Sequence, residues 1–245
     1  MHSWPFRVAM AGAMATAALL ASVTWASGLQ VSPIGLRLAA ATQADALWLM
    51  NTGNDTLHAQ VRVYRWTQVD GKDVLQPSRD LVVSPPMVTI APGDRQLVRV
   101  IRQVAPATDG TETAYRVLVD ELPVNADATP GLKFVLRYSI PVFLAPAGDP
   151  AVKAVLQATW EETSSGMALR VRNSGNGHAQ IADVAWLGHG NQRAMLLPGL
   201  AGYALPGATM SWKLPDNAPR SAGAVRARIN GEVSESTLVV DTGRR

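Results

Sequence analysis

Cysteine is absent from the 245 residues of the sequence. Disulfide bonds, thiolate metal sites and a cysteine nucleophile are therefore excluded. Charged residues are also sparse at 17%, and the basic ones occur singly instead of in the runs that mark nucleic-acid-binding segments. We therefore predict no nucleic-acid partner. Hydrophobic residues amount to 47%, which is enough for a folded core and argues against disorder.

The sequence also lacks the motifs of common enzymes and cofactor sites. It contains no Gly-x-Ser-x-Gly nucleophile elbow, no glycine loop for phosphate and no His-Glu-x-x-His metal motif. His178, Asp183 and His189 could approach one another as metal ligands, but their spacing matches no common metal site, and histidines in loops are usually solvated. These absences predict a protein that is not an enzyme and that binds no metal and no cofactor.

A long apolar run occurs only at the N-terminus. The segment before it carries one positive charge at Arg7, the sixteen residues Val8–Val23 are largely apolar, and Ala26 provides a small residue for cleavage. The run is shorter than the roughly 20 residues that span a bilayer, which argues against the alternative of a membrane anchor. We predict a signal peptide over residues 1–26 and an exported protein without stable membrane insertion.

The rest of the chain shows strand patterns and no convincing amphipathic helix. Ala59–Trp66 and Gln96–Arg102 alternate with the period of two that places successive side chains on opposite faces of a sheet. Turn-forming clusters such as Asn51–Asp55 follow at short intervals, and Asp70-Gly71 is a strong hairpin signal. Many short strands separated by such turns predict an all-β fold of immunoglobulin-like sandwiches.

The length of the chain fits two domains of roughly 100 residues each. The proline-bracketed stretch Ala145–Pro150 is the best boundary, and Asn173–Gly177 in the second half resembles the turn Asn51–Asn54. The predicted division is an N-terminal domain over residues 27–146, a linker over 147–150 and a C-terminal domain over 151–245.

Proline and tryptophan add two expectations. Pro141 interrupts the last long strand pattern of the first half, and because proline cannot donate to a ladder it predicts an edge, a bulge or a switch between sheets. Tryptophans in or beside apolar strands are interpreted as core residues: Trp48, Trp66, Trp160, Trp186 and Trp212.

Three segments of the first half carry an ordered set of motifs. Leu81–Arg102 contains a Pro-Pro pair, a Pro-Gly turn and a Val-Arg strand, Tyr115–Pro123 is an aromatic-led strand, and Leu132–Pro146 is a long alternating strand. In this order they cover most of residues 29–146, and they resemble the periplasmic pilus chaperones of the PapD-like family. Further features are most similar to the archaic branch of the chaperone–usher systems: Trp66 with Asp70-Gly71, Tyr115-Arg116 and the turn Asn173–His178.

This resemblance implies a fold, a mechanism and partners. Members of the family consist of two immunoglobulin-like sandwich domains in an L or boomerang arrangement, and they use no ATP or metal. Each captures an incomplete pilus subunit that lacks one strand, lends it a long alternating strand and delivers it to an outer-membrane usher. The protein is accordingly expected to be a periplasmic chaperone with a pilus subunit and an usher as its partners.

The donated strand is expected within the third of these segments. An incomplete sandwich exposes an apolar groove and two unpaired strand edges, and an added strand supplies backbone hydrogen bonds to the edges and side chains to the groove. Every second residue must then be apolar, and the residues that meet this condition are Leu132, Phe134, Leu136 and Tyr138. The same alternation also fits an inner-face strand of the protein's own domain, and it is the resemblance that favours donation.

Members of the family hold the terminal carboxylate of the subunit with two basic residues in the cleft. The matching positions here fall at Pro141 and near Gly35, which cannot bind a carboxylate. An arginine elsewhere is the best substitute, because its planar fork binds a carboxylate through two hydrogen bonds. The candidates, in order of preference, are Arg116, then Arg137, which lies on the expected donor strand four residues before Pro141, and then Arg37, which depends on the register of the first strand. Arg116 comes first because it follows Tyr115 at the start of a strand that should flank the donor strand, and because an aromatic neighbour can hold an arginine rigid by stacking. Arg99 is interpreted as a surface or rim residue.

Two other functions remain open at this point. A pilin-like or adhesive surface protein could use the same sandwich domains, but a pilin would begin with a short donor extension, whereas this chain enters a strand with Pro33 soon after the predicted cleavage site. A secreted hydrolase on a sandwich scaffold would need a visible cluster of catalytic residues.

Overall fold

The strands of the protein form two sandwich-like halves. The computed structural model describes residues 28–123, 135–148, 150–188, 190, 192–219 and 223–241, and these residues contain no α-helix. The strands of the first half are β1 Leu29–Ser32, β2 Leu36–Leu38, β3 Ala44–Asn51, β4 Leu57–Val69, β5 Lys72–Pro77, β6 Leu81–Ser84, β7 Met87–Ile90, β8 Arg95–Arg102, β9 Thr113–Leu122 and β10 Arg137–Leu144. Those of the second half are β11 Leu156–Thr163, β12 Gly166–Asn173, β13 Ala179–Leu187, β14 Arg193–Ala204, β15 Thr209–Lys213, β16 Ala224–Ile229 and β17 Glu235–Asp241.

Two sheets face each other in the first domain. One has the strand order β1-β3-β8-β6, and the other has the order β2-β10-β9-β4-β5, with β7 also paired to β4. The period-two pattern decides which side chains enter the core: Leu47 and Leu49 of β3 pack with Val117 and Val119 of β9, and all four are fully buried. The alternation therefore predicted an all-β sandwich correctly.

The second domain differs in that its strands form one continuous seven-stranded sheet in the order β14-β13-β16-β17-β11-β12-β15, which encloses a core of its own. Its core contains Leu169 of β12, Ile181 of β13, Leu196 of β14 and Val225 of β16, each with no exposed surface. The two domains thus have separate cores, as expected for a pair of immunoglobulin-like sandwiches.

The resemblance between two turns in the sequence has a structural basis. Asn51 ends β3, is buried, and donates from Nδ2 to the carbonyl oxygens of Asp55 and Ile90, while its Oδ1 accepts from the amide of Gly53. Asn173 ends β12 and makes the equivalent three bonds to its own neighbours. Each asparagine therefore satisfies buried backbone groups where a strand turns away from the core.

Strand β10 lies near an edge of its sheet, and Pro141 does not interrupt it. The strand pairs with β9 over its whole length, whereas β2 pairs with it only over Val142–Leu144. From Arg137 to Pro141 the other side of β10 has no strand partner among the described residues. Leu136 O accepts from Glu121 N, so by the antiparallel alternation the nitrogen of Pro141 points to this open edge, where no ladder bond is lost.

A buried tyrosine stabilises the first domain. Tyr115 of β9 is fully buried and donates from Oη to Asp80 Oδ2 at 2.8 Å, and the same carboxylate accepts from Arg65 at 3.1 Å. Burial, together with the bond to Asp80, raises the pKa of Tyr115 to about 12. The neutral phenol is therefore favoured in the fold, and its contribution to stability is full below pH about 10 and is lost as the pH rises towards 12.

Removing this hydroxyl should cost stability. Tyr115→Phe is expected to lower the free energy of unfolding by about 1.5–3 kcal/mol, because a hydrogen bond to a charged group is lost inside the domain. Urea denaturation at neutral pH measures the change, and Tyr64→Phe, at a partly exposed tyrosine of β4, is the matched control. Equal stability of the two variants would contradict the role assigned to the Tyr115–Asp80 bond.

Candidate functional site

A cleft of about 810 Å³ lies between the two domains. Its first wall comes from β2, β5, β9 and β10 and the turn before β2, and its second wall comes mainly from β13, β14 and β15. This volume is within the range of ligand-binding sites and far exceeds that of a single carboxylate. The cleft begins where the open edge of β10 meets β2, so an added strand would run into it.

An apolar cluster fixes the two walls against each other below the cleft. Trp66 and Phe143 from the first domain are buried together with Leu205 and Ala208 from the second. Gln68 adds two hydrogen bonds across the boundary. Its Nε2 donates to the carbonyl oxygen of Tyr203 at 2.9 Å, and its Oε1 accepts from the backbone amide of Leu205 at 2.8 Å. Sequence patterns do not predict this contact, because its members are far apart in the chain and share no period.

Arg116 lines the cleft between aromatic rings from both domains. The guanidinium carbon lies 3.7 Å from the ring centroid of Trp66 and 5.0 Å from that of Tyr203. Burial lowers the pKa of Arg116 from its ordinary value, although an arginine stays protonated in a protein. Nη1 donates to Ser139 O at 3.3 Å, and the guanidinium has no ion pair among the described residues. A stacked cation without a carboxylate partner suits an anionic ligand.

The predicted reason for the rigidity of Arg116 was wrong in one respect. Tyr115 is adjacent in sequence, but successive side chains of a strand point to opposite faces, so Tyr115 enters the core and Arg116 faces the cleft. The stacking partners are instead Trp66 of β4 and Tyr203 of the second domain. Sheet pairing and domain packing, not sequence proximity, hold this arginine.

Arg37 lies in the same cleft with a more exposed side chain. It projects from β2, with 57% of its side-chain surface exposed, and its Nη2 lies 3.8 Å from Glu112 Oε2. Glu112 is buried, and its Oε1 is 2.5 Å from His178 Nδ1 and accepts from the backbone N–H of His178 at 3.2 Å. Arg37 thus belongs to a polar network that joins the domains.

His178 is not the solvated loop histidine that the sequence predicted. Its ring stacks on Phe143, with the two ring centroids 3.5 Å apart and the planes within 3° of parallel. Domain packing covers a loop that would be exposed in the isolated second domain. Asp183 instead pairs with Arg228 at 3.2 Å, and His189 lies outside the described residues. Across the part of the chain that the structure describes, no cluster of His, Asp or Glu is arranged to hold a metal ion.

Arg137 is held away from the cleft. It sits at the start of β10 and pairs with Asp120, which also accepts from Arg62 at 2.6 Å. Burial alone would raise the pKa of Asp120, but the hydrogen bonds from Arg62 and Arg137 outweigh it and hold the pKa below its usual value. The structure therefore brings Arg116 and Arg37 together in the cleft and leaves Arg137 in an ion-pair network elsewhere on the sheet.

The two positions that the resemblance assigned to basic residues lie side by side. A Cβ atom on Gly35 would be 3.7 Å from Cγ of Pro141, and Arg116 is the residue of β9 that pairs with Pro141. By the alternation of the ladder Ser139 O points to the open edge of β10, so the guanidinium of Arg116 reaches across β10 to that edge. Positive charge is present around Gly35 and Pro141, but it comes from neighbouring positions.

The predicted donor residues divide between described and undescribed parts of the chain. Leu136 and Tyr138 are half-buried against the core of their own domain, and Tyr138 Oη donates to Leu29 O at 2.6 Å. In the free protein these two side chains therefore lie on the inner face of a strand of their own domain, which is the alternative that the sequence left open. Leu132 and Phe134 lie outside the described residues.

The sequence matches a protein-family model. Residues 28–149 match the PapD N-terminal domain of pili and flagellar-assembly chaperones. No curated protein matched the chain by sequence. The described residues form no helix that is both long and apolar enough to cross a membrane.

Solved structures of pilus chaperones share the fold. The chain is similar to a chain of the complex between the CsuC chaperone and the tip adhesion subunit CsuE from the archaic chaperone–usher Csu pili of Acinetobacter baumannii, with a TM-score of 0.67, 24% identity and coverage of 88% of this chain and 99% of that one. It is also similar to a chain of the complex between the SafB chaperone and the SafA pilin of Salmonella enterica, with a TM-score of 0.62, 20% identity and coverage of 88% of this chain and 98% of that one. The CupB2 chaperone of Pseudomonas aeruginosa matches with a TM-score of 0.60, 16% identity and coverage of 86% of this chain and 100% of that one.

The family match and the fold agree, because the chain has the two-domain, immunoglobulin-like architecture of the pilus-assembly chaperones. The structural matches extend over both domains, and at these identities they show the shared fold. The match over residues 28–149 assigns the first domain to the PapD-like family of pilus chaperones, as the sequence motifs predicted. The family match favours a chaperone over the alternative of a pilin-like surface protein.

Proposed function

We propose that the protein captures an incomplete pilus subunit by donating strand β10 and the segment before it, and then delivers the subunit to an outer-membrane usher. The observation that carries this proposal is the open edge of β10 from Arg137 to Pro141, which ends at a cleft lined by two arginines. Unpaired backbone groups on such an edge can bind the exposed edge of another sheet. Capture of the subunit and its delivery would require binding energy alone, without catalysis, ATP or metal.

The charge of the cleft favours one orientation for the bound strand. Strand β2 runs parallel to β10 and occupies the continuation of the same edge. A subunit strand that is also parallel to β10 would end at the start of β2, beside Gly35, whereas an antiparallel strand would begin there. Arg116 and Arg37 lie at this point and attract a negatively charged terminus. We infer a parallel strand whose terminal carboxylate binds in the cleft.

Arg116 is the main anchor in this proposal. Its guanidinium is stacked, lies at the open edge and has no carboxylate partner among the described residues, so its donors can bind the terminus without breaking an ion pair. Arg37 is a second cation, partly engaged with Glu112. Arg137 is the weakest of the three candidates for the anchor, because Asp120 already binds its guanidinium.

The location of the protein is part of the proposal. The predicted signal peptide over residues 1–26 would direct the chain to the periplasm, where the mature chaperone would consist of the domains 27–146 and 151–245 joined by the linker 147–150. The archaic branch of the chaperone–usher systems is the proposed setting, on the motifs described above. The proposal involves no nucleic-acid partner and no stable insertion of the chaperone into a membrane.

Co-expression with a pilin encoded beside it tests this function. The chaperone–subunit complex should be recovered from periplasmic extracts, with the chaperone starting between Ser27 and Leu29 by mass spectrometry. Hydrogen exchange should show new protection at the outward-facing amides of Arg137 and Ser139, and little change at β16 of the second domain. Recovery of the complex without protection at the β10 edge would contradict strand donation.

A further inference from the structure

The two walls of the cleft differ in chemistry. The first-domain wall carries Arg37, Arg116 and Asp73, whereas the described lining residues of the second domain include no Asp, Glu, Lys or Arg. That second wall presents Leu200 and Tyr203 of β14 with Met210 and Trp212 of β15. With two arginines against one aspartate, the first wall has an excess of positive charge that suits a carboxylate. The part of the second wall formed by Leu200, Met210 and Trp212 suits an apolar group.

Leu200 is exposed without an evident structural reason. It lies on β14 with 57% of its surface accessible, and it faces the cleft instead of the core of its domain. Across the cleft Ile34 is 79% exposed in the turn before β2. These two large aliphatic side chains, exposed on opposite walls of the cleft, provide apolar surface that a ligand can bury.

Gly202 shapes this wall. Its φ of 152° lies in a region that other residues rarely adopt, and a Cβ atom there would lie 2.9 Å from Nε1 of Trp212. Glycine therefore lets the indole of Trp212 lie directly against β14 in the lining of the cleft. Trp212 was interpreted from sequence as a core residue, and it packs partly against the core while also lining the cleft.

We propose that the second-domain wall formed by Leu200, Met210 and Trp212 binds the last side chain of the subunit and so selects subunits that end in a large apolar or aromatic residue. This inference rests on the proposed function, since it takes the terminal carboxylate to lie on Arg116. Side chains of an added strand alternate as those of β10 do, and Ser139 and Pro141 line the cleft. A terminal residue in that register directs its side chain to the second domain.

The cleft is large enough for this occupant. Its volume of about 810 Å³ exceeds what a carboxylate between two arginines requires, and the remaining space borders the uncharged wall. A charged or strongly polar last side chain would lose hydration there without finding a charged partner among the described lining residues of that wall. Selection would therefore act against polar termini as well as in favour of apolar ones.

Short peptides can test this selection on the full mature chaperone. The probes are acetylated tetrapeptides that end in phenylalanine or in serine with a free carboxylate, together with the amide of the phenylalanine peptide. Dissociation constants are measured from NMR shifts of the Trp212 indole N–H and of the Arg116 amide. We expect the phenylalanine acid to bind about tenfold more tightly than the serine acid, because burial of an aromatic side chain is worth at least that factor.

Variants of one strand provide the control. Leu200→Ser should weaken binding of the phenylalanine acid about fivefold or more, by loss of buried apolar area, and leave the serine acid unchanged. Because Leu200 is exposed, the variant should fold even where Trp212→Ala does not. Met195→Ser changes another exposed apolar residue of β14, 47% accessible and outside the cleft lining, and should alter neither affinity.

The outcomes separate this inference from the function on which it rests. Equal binding of the phenylalanine and serine acids, with the amide bound more weakly, overturns the selection by the second domain and leaves the carboxylate anchor intact. Equal binding of acid and amide overturns the anchor. If no peptide shifts the cleft signals at millimolar concentration, both ideas are overturned.

Discussion

Leu136→Asp is expected to abolish capture of the pilus subunit while leaving most of the chaperone folded. Leu136 directly precedes β10, in the proposed donor segment, and is half-buried, so a carboxylate introduced there can still reach water in the free protein. In the complex the groove of the subunit would cover it, and burial of an unpaired charge costs several kcal/mol. Recovery of the complex from periplasm should fall below detection.

Val135 provides a matched control for this variant. It is adjacent in sequence, is 53% exposed and, by the alternation of the strand, points to the other face. Val135→Asp introduces the same charge one residue away and should leave capture within a factor of about two, as for most exposed sites. Circular dichroism and urea denaturation of both variants report whether the domain remains folded.

An unfolded Leu136→Asp variant would support the other interpretation, in which Leu136 serves only the core of its own domain. The same substitution at Phe134 then decides the question, because its side chain belongs to the same alternating set. Loss of capture by a folded Phe134→Asp chaperone supports donation, and normal capture by that variant contradicts it.

Local patterns predicted the strands well, because the alternation of apolar residues is imposed by the sheet itself. Leu47 and Leu49, or Val98 and Val100, are buried for the same reason that they recur at every second position. Turn chemistry was also readable: Asp70 and Gly71 both have positive φ in the hairpin between β4 and β5.

The cleft itself could not be predicted in detail from the sequence. Its walls depend on how two domains pack, and no periodicity connects Arg116 with Tyr203 or Phe143 with His178. Sequence reasoning selected Arg116 for its charge and its place on the strand beside the donor strand, and the structure puts it in the cleft. It ranked Arg137 above Arg37, because the ion pair between Arg137 and Asp120 could not be foreseen. That pair joins two strands, β10 and β9, and the register between strands does not follow from the sequence alone.

Residues of the second domain were missed for a related reason. Leu200 and Trp212 resemble ordinary members of apolar strands, and only the three-dimensional arrangement shows that they face the first domain. A glycine inside a strand pattern, such as Gly202, is the one local signal that marked this wall, since glycine within a strand often indicates a close approach of another group.

Arg116→Ala is expected to reduce subunit capture at least thirtyfold. Truncating one partner of a desolvated, hydrogen-bonded charge pair costs about 2–5 kcal/mol, and in the proposed complex the terminal carboxylate would lose its main partner in a half-buried cleft. The free chaperone should lose only about 1–2 kcal/mol of stability, which is the scale of the cation–π contacts with Trp66 and Tyr203. Affinity is measured on purified chaperone with a donor-strand-deficient subunit, and stability by urea denaturation.

Two further substitutions separate charge from geometry. Arg116→Lys keeps the positive charge but lacks the planar fork that stacks on Trp66 and binds a carboxylate through two hydrogen bonds, so it should restore capture only in part. Arg99→Ala removes an exposed arginine of β8, which belongs to the other sheet of the same domain, and should change neither capture nor stability appreciably. Full capture by a folded Arg116→Ala chaperone would show that the anchor is elsewhere, and Arg37, the other arginine found in the described lining of the cleft, would be the residue to test next.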